Sequence, residues 1–212
     1  MPEALTKQEV DSKTDPTVAK QSDHETPMSE QIDDFYKTVD GLKVGLMATH
    51  RPGIGPVARS MAIAKRSGPD FLFIANNHSQ KFKDLEDDKT VLITFQNSST
   101  QDWVSVTGTA TTISNSDPRI KELYSASYST LTAWFGDLGD GVHTGTPEDP
   151  RMTLIEIKSN YISYWKSTVT KLGFAKEVVV GTMTGKVANT GVQRQFLEED
   201  IKKMRETQGT MT

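Results

Sequence analysis

The sequence predicts a mainly β protein, α+β by content: an antiparallel barrel with flanking helices. Three observations carry that expectation. Runs with strand character follow one another from Lys43 to Lys166. Turn residues such as His50-Arg51-Pro52-Gly53 and Gly68-Pro69 separate them. Only one short helix lies within the first five runs, which favours a barrel over alternating βαβ units.

Each element has its own justification. Residues 1–27 hold Glu3, Glu9, Asp11, Asp15, Asp23 and Glu25 with Lys7, Lys13 and Lys20, and no aromatic residue. Such a segment buries too little apolar surface to offset its ordering entropy, so a disordered tail is predicted. Ser29 is placed to cap a helix. Ile32, Phe35, Tyr36 and Val39 then form one apolar stripe that Gly41 ends. Strands are predicted at Lys43 to Thr49, Ile54 to Lys65, Phe71 to Ala75, Thr90 to Gln96 and Trp103 to Ile113. In the last of these, Trp103, Ser105 and Thr107 take one face and Val104 and Val106 the other. Two more runs follow, Met152 to Lys158 and Tyr161 to Lys166. Between them and the earlier strands a helix is predicted from its cap Asp117 and Pro118, with Ile120, Leu123, Tyr124, Tyr128, Leu131 and Phe135 in helical period. Gly136 opens a loop rich in glycine and aspartate that runs to Pro150.

After Lys166 the strand pattern stops. Lys171 to Val187 is predicted helical, although Val178, Val179 and Val180 permit a strand. Pairing of Glu198 with Lys202 and of Glu199 with Lys203 predicts a surface helix over 192–206. The predicted organisation is thus a tail (1–27), a barrel domain (28–166) and a C-terminal helical extension (167–212), without internal repeats.

Composition narrows the function. A chain of 212 residues suits one domain with a real core. Its net charge of −4 gives no electrostatic footprint for nucleic acid. No apolar run approaches the ~20 residues that span a bilayer, and the N-terminus lacks the apolar core of a signal peptide. No membrane partner and a cytoplasmic location are expected. With no cysteine there is neither a disulfide framework nor a thiolate site. His24, His50, His78 and His143 share no metal-ligand spacing and are read as solvated loop residues, so no metal is expected.

The chemistry concentrates in Phe71 to Gln96. There a strand leads into a polar loop with Ser79 and Lys81 where a short helix starts, a natural seat for a phosphate. Gly53-Ile54-Gly55-Pro56-Val57-Ala58 has the letters of a dinucleotide fingerprint, but no helix starts within it, and a hairpin turn is predicted instead. Arg59, inside an otherwise small and apolar strand, is either an exposed residue or an anion ligand. Beside Ser79 and Lys81 the second reading gains weight, because guanidinium forks suit phosphate oxygens. Trp134-Phe135 reads first as core, and otherwise as a cover for a flat ring or a subunit contact. Gln96, at a strand end, is a loop amide or a hydrogen-bond partner for a heterocycle.

Taken together, VGLMATH, GPVARSMA, DFLFIANNHSQKFKDLEDDKTVLITFQ, WVSVTGTATTI, DPRIKELYSASYSTLTAWFGD and MTLIEIKSNYISYWK resemble the general stress protein branch of the pyridoxamine 5′-phosphate oxidase-like, FMN-binding split barrels, including its fungal blue-light-inducible members. The resemblance spans residues 30–166. It implies a six-stranded antiparallel split β-barrel that forms a homodimer, with FMN (FAD as the alternative) at the subunit interface. It places the phosphate on Arg59, Ser79 and Lys81, and the ring along Ile74, Ala75 and Asn76. Ser60 and Met61 would flank the ring, with Gln96 near it and the partner chain's copy of Trp134 packed on it. A flavin-dependent oxidoreductase linked to stress or light response is implied, its substrate and catalytic residues unassigned. A non-catalytic flavin buffer, carrier or sensor is the alternative; a pyridoxamine phosphate oxidase or another phosphate-ligand binder is a further one. Residues 167–212 do not resemble the arginine-bearing C-terminal segment of pyridoxamine phosphate oxidases, which argues against that last activity. No histidine is placed to ligate haem.

Overall fold

A computed structural model describes residues 21–126 and 128–208. In chain order the elements are α1 (Met28–Leu42), β1 (Val44–Arg51), β2 (Gly55–Ala62), β3 (Lys65–Ser67), β4 (Asp70–Asn76), α2 (Lys81–Asp87), β5 (Thr90–Gln96), β6 (Trp103–Ile113), α3 (Arg119–Ala126), α4 (Tyr128–Phe135), β7 (Met152–Ser167), α5 (Lys171–Thr184), β8 (Gly191–Phe196) and α6 (Glu198–Gln208). The antiparallel sheet runs β2-β1-β5-β6-β7-β4-β3, with β8 also on β7. It holds eight strands and does not close, where six strands in a barrel were expected. The additional strands are the three-residue β3 and the C-terminal β8.

The hairpin of β1 and β2 turns where the dinucleotide letters fall. Arg51 pairs with Gly55, and the amide of Ile54 bonds the Arg51 carbonyl at 3.0 Å. Gly53 and Gly55 take φ values of 75° and 103°, which side chains with a Cβ resist. The predicted hairpin is therefore present and the fingerprint is not.

The described residues form two compact units. One contains residues 21–43, Thr94–Val106 and Tyr161–Ile201. Its core clusters Phe35, Tyr164 and Phe196, all fully buried, in tilted and edge-to-face contacts with centroids 5.7–6.2 Å apart. Arg194 of β8 lies beside them, its Nε 2.7 Å from Asp23 and its Nη1 2.7 Å from Asp34. The Tyr164 hydroxyl donates to the Gln31 carbonyl at 2.6 Å. α5 follows β7, and its Leu172, Val179 and Met183 are exposed.

The other unit contains Val44–Ile93, Thr107–Asn160 and residues 202–208. Ile120, Leu123, Tyr124, Leu131 and Phe135 pack on Leu72, Met152 and Leu154. This matches the periodicity that predicted the helix, whose described residues are those of α3 and α4. Asp117 does start it, its carboxylate accepting from the Arg119 amide at 2.9 Å. In β6, a Cβ on Gly108 would lie 2.6 Å from the Lys158 carbonyl oxygen, so only glycine fits that close approach.

Several sequence expectations are corrected. α1 has Pro27 rather than Ser29 at its N-cap, with no side-chain cap hydrogen bond among the described residues. β7 is one strand of 16 residues, because Ser159 and Asn160 continue the extended backbone instead of turning. Residues 192–196 form β8, since Phe196 fills the aromatic core only from a strand paired to Ile162. α6 is not merely a surface helix, as Ile201 and Met204 are buried. Of the expected tail, residues 1–20 lie outside the described residues. Ser22 bridges to Gln193, and Asp23 pairs with Arg194.

Candidate functional site

The phosphate loop begins where β4 ends. β4 pairs with β7 along its length, from Phe71↔Ile157 to Asn76↔Met152. β3 covers it only from Asp70 to Leu72. The Leu72 carbonyl accepts from the Ala64 amide at 2.8 Å, so it faces the β3 side. By the two-residue period of a strand, the N–H and C=O of Ile74 face the same edge beyond the end of β3. No strand pairs there among the described residues.

After Asn76 the chain reverses in a tight turn. The Asn76 carbonyl accepts from the Ser79 amide at 3.1 Å and from the Ser79 hydroxyl at 2.6 Å. Its side-chain oxygen accepts from the His78 amide at 2.9 Å. Lys81 Nζ then donates to Ser79 Oγ at 2.6 Å. No carboxylate lies within ion-pair distance of Lys81 among the described residues. Burial pushes its ammonium below the usual lysine range, and the positive charge of Arg59 pushes the same way. α2 has only seven residues, so the seat rests on side-chain charge rather than on a helix dipole.

Arg59 is held from beneath. Its Nη1 donates to Thr49 Oγ1 at 2.8 Å and to the Met47 carbonyl at 3.2 Å. Its Nη2 lies 3.3 Å from Asp84 Oδ2. Asp84, 1% exposed, also accepts from Thr49 at 2.7 Å and from both Nε and Nη2 of Arg51 at 3.0 and 3.2 Å. The Arg51 hydrogen bond is the largest influence holding the Asp84 carboxyl below its ordinary range, against the effect of burial. One buried carboxylate thus serves two guanidiniums, and Lys81 adds a third cation. The cluster carries a surplus of positive charge, which suits an anion bearing two charges.

The other predicted residues are placed as follows. Ser60 is exposed and Met61 buried, next to Arg59 on β2. Ile74 and Asn76 are half-buried and Ala75 is buried. Gln96 ends β5 with an exposed side chain. The aromatic pair divides: Phe135 is core, stacked against the Arg151 guanidinium, while Trp134 is 82% exposed. The core reading of Trp134 is thereby overturned.

Sequence reasoning missed Arg51, Thr49 and Asp84. Arg51 was absorbed into a turn. The available signal for Asp84 was its place between Phe82 and Leu85, both buried with it in one short helix. It also missed that His143 is not a lone loop residue. His143 Nδ1 lies 2.6 Å from Asp140 Oδ2, and its ring meets that of His78 with centroids 6.3 Å apart. No group of three or more potential metal ligands occurs among the described residues.

The fold defines the class: an antiparallel split-barrel protein with flanking helices. The chain belongs to the pyridoxamine 5′-phosphate oxidase like family, whose pattern matches residues 30–189. Protein bli-3 of Neurospora crassa is 37% identical over 194 residues, which cover 90% of this chain and 91% of that one. Among solved structures, a Clostridium acetobutylicum protein related to general stress protein 26 of Bacillus subtilis superposes with a TM-score of 0.58 at 13% identity, covering 83% of this chain and 99% of the other. A general stress protein 26 from Jannaschia sp. CCS1 gives 0.57 at 15% identity, covering 81% and 99%. At such identities these two structures speak for the fold alone.

Proposed function

We propose that this protein binds FMN as a homodimer and works as a flavin-dependent oxidoreductase in a stress or light response. The observation that carries the flavin reading is Lys81: a half-buried ammonium beside Arg59, bonded only to the Ser79 hydroxyl and lacking a carboxylate among the described residues. A phosphate monoester would complete it. Arg59, Ser79 and Lys81 would hold that phosphate, and the open backbone edge at Ile74 to Asn76 would take the polar rim of a ring. Ser60 and Met61 would flank the ring. The residues present fit FMN better than FAD, because they form one phosphate seat. When bound, the flavin supplies the redox chemistry, while the protein anchors, orients and shields it.

Family membership supports the same reading. Support for a dimer comes from apolar surface that the protomer leaves to water. Val44 and Leu46 on β1, Leu92 on β5 and Trp134 on α4 are all exposed. No helix among the described residues is long and apolar enough to cross a membrane, and a cytoplasmic location with no membrane or nucleic-acid partner is proposed.

One observation favours a non-catalytic flavin binder instead. Ser60, Met61, Ile74, Ala75 and Asn76 offer no titratable side chain to a ring. Stopped-flow mixing with NADH or NADPH separates the readings: fast flavin reduction with turnover supports the enzyme, and a flavin that every donor leaves oxidised supports the binder.

The deciding experiment is mass spectrometry of the ligand that co-purifies, followed by FMN titration with absorbance and calorimetry. Stoichiometric FMN is expected. A protein that takes up no FMN removes the proposal, and a different phosphate ligand replaces it.

A further inference from the structure

We infer that Thr49 and Asp84 are positioning residues for the phosphate: they grip Arg59 by the end of its guanidinium and leave the side edge, Nε–H beside Nη2–H, as a two-pronged donor for phosphate oxygens. This rests on the phosphate reading above and adds to it two residues that act through Arg59.

A guanidinium is planar and carries five N–H bonds in a fixed fork. In Arg59, Nη1 donates to Thr49 Oγ1 at 2.8 Å and to the Met47 carbonyl at 3.2 Å, which uses both of its protons. Nη2 gives one proton to Asp84 Oδ2 at 3.3 Å. Thr49 Oγ1 and Asp84 Oδ2 are themselves 2.7 Å apart, so the two oxygens sit side by side across the Nη1–Nη2 end. The protons that remain are that of Nε and the second of Nη2. They lie parallel on the side edge, and among the described residues neither has an acceptor. A parallel pair of donors takes a phosphate bidentately. Lys81 feels the positive charge of Arg59, so this open edge belongs to the same cluster as the lysine.

Side-on pairing of Arg59 with a carboxylate would also be bidentate, and it would consume that edge. Arg51 pairs in this way, with Nε and Nη2 on Oδ1 and Oδ2 of Asp84 at 3.0 and 3.2 Å. Arg59 is kept from the same pose by two contacts. Arg51 already holds Asp84 side-on, and Thr49, 2% exposed, sits against Oδ2 and retains Nη1. The Thr49 hydroxyl has one proton, which goes to Asp84, so it meets Arg59 only as an acceptor. The order of donation is therefore fixed, from Arg59 to Thr49 to Asp84. Removing the hydroxyl leaves an Nη1 proton and an Asp84 lone pair unmatched, and Arg59 then gains by turning its phosphate edge onto Asp84.

The test measures the Kd of the full chain for FMN and for riboflavin, with thermal midpoints as the check on folding. Thr49→Val keeps the shape and removes the hydroxyl. It should weaken FMN about tenfold, the effect of one charge-assisted hydrogen bond, and leave riboflavin, which lacks the phosphate, unchanged. Thr49→Ser restores the hydroxyl and should bind FMN within about twofold of wild type. In an Arg59→Ala background, Thr49→Val should weaken FMN no further, because Thr49 acts only through that guanidinium. Should the valine variant fail to fold, Arg59→Lys decides: the ammonium keeps the charge without the parallel donors, and FMN should again weaken about tenfold. Unchanged FMN affinity in Thr49→Val, an equal loss for riboflavin, or no rescue by serine overturns the inference alone. So does a loss that persists in the Arg59→Ala background, or an Arg59→Lys variant that binds FMN as tightly as wild type. A wild-type chain that binds no FMN, or binds FMN and riboflavin alike, removes the phosphate reading and this inference with it.

Discussion

Arg59 of β2 places its Nη2 3.3 Å from Oδ2 of Asp84, a carboxylate buried in α2. Arg51 reaches the same carboxylate at 3.0 Å. The anion seat is therefore also a structural clamp between the β-hairpin and α2. Asp84→Asn leaves two guanidiniums short of a countercharge. Both guanidiniums keep some contact with water, so a loss of about 1–3 kcal/mol, that of an unsatisfied buried hydrogen-bonding group, is expected in urea unfolding. A loss below about 1 kcal/mol would show that the clamp carries no stability.

Lys81 has no such structural duty. Lys81→Ala should leave the thermal midpoint near the wild-type value while weakening FMN binding. Charge-assisted hydrogen bonds contribute about 1.5–3 kcal/mol, which corresponds to roughly 10- to 150-fold in Kd. Riboflavin affinity should not change. Equal losses for both ligands would move the phosphate away from Lys81.

Acid should unfold the protein partly through Asp149. Burial pushes its carboxyl up, but Arg151 and the amides of Arg151 and Gly145 outweigh that and hold it at about 2. The folded value lies below the ordinary 3.8, so the contribution is complete above that pH. It is lost as pH falls through 3.8 to about 2. The group contributes roughly 2 kcal/mol at neutral pH. Urea midpoints at pH 7 and pH 3 measure it, and Asp149→Asn should make the acid limb shallower.

Phe196 tests the C-terminal strand. It is fully buried between Phe35 and Tyr164, so Phe196→Ala should cost about 3–5 kcal/mol in denaturant unfolding. A loss under 1 kcal/mol would mean that β8 adds little to its unit.

Trp134 tests the assembly. An 82% exposed side chain contributes little within the protomer, so Trp134→Ala should change protomer stability by less than about 0.5 kcal/mol. In sedimentation velocity it should shift the dimer toward monomer at micromolar concentrations. An unchanged distribution would exclude Trp134 from the contact.

Much of this was legible along the chain. Strands β1, β5 and β6 fall close to where runs of strand character placed them, and in β6 the alternation of Trp103 to Thr107 matches the observed burial, because a half-buried strand writes its period directly into residue order. The Ser79–Lys81 loop was visible for the same reason: strand end, polar turn and helix start are local. β8 was not legible. Gly191, Arg194 and Phe196 make a weak strand pattern, and the reward for adopting it comes from Phe35 and Tyr164, distant in sequence.

The sequence by itself determined the antiparallel β class, the family pattern and the position of the candidate phosphate loop, since each depends on nearest-neighbour spacing and side-chain type. Only the tertiary structure decided which charges meet. It paired Arg59 and Arg51 with Asp84, left Lys81 without a carboxylate among the described residues, and set His143 against His78. Electrostatic interaction depends on distance through space and on exclusion of water, and residue order encodes neither.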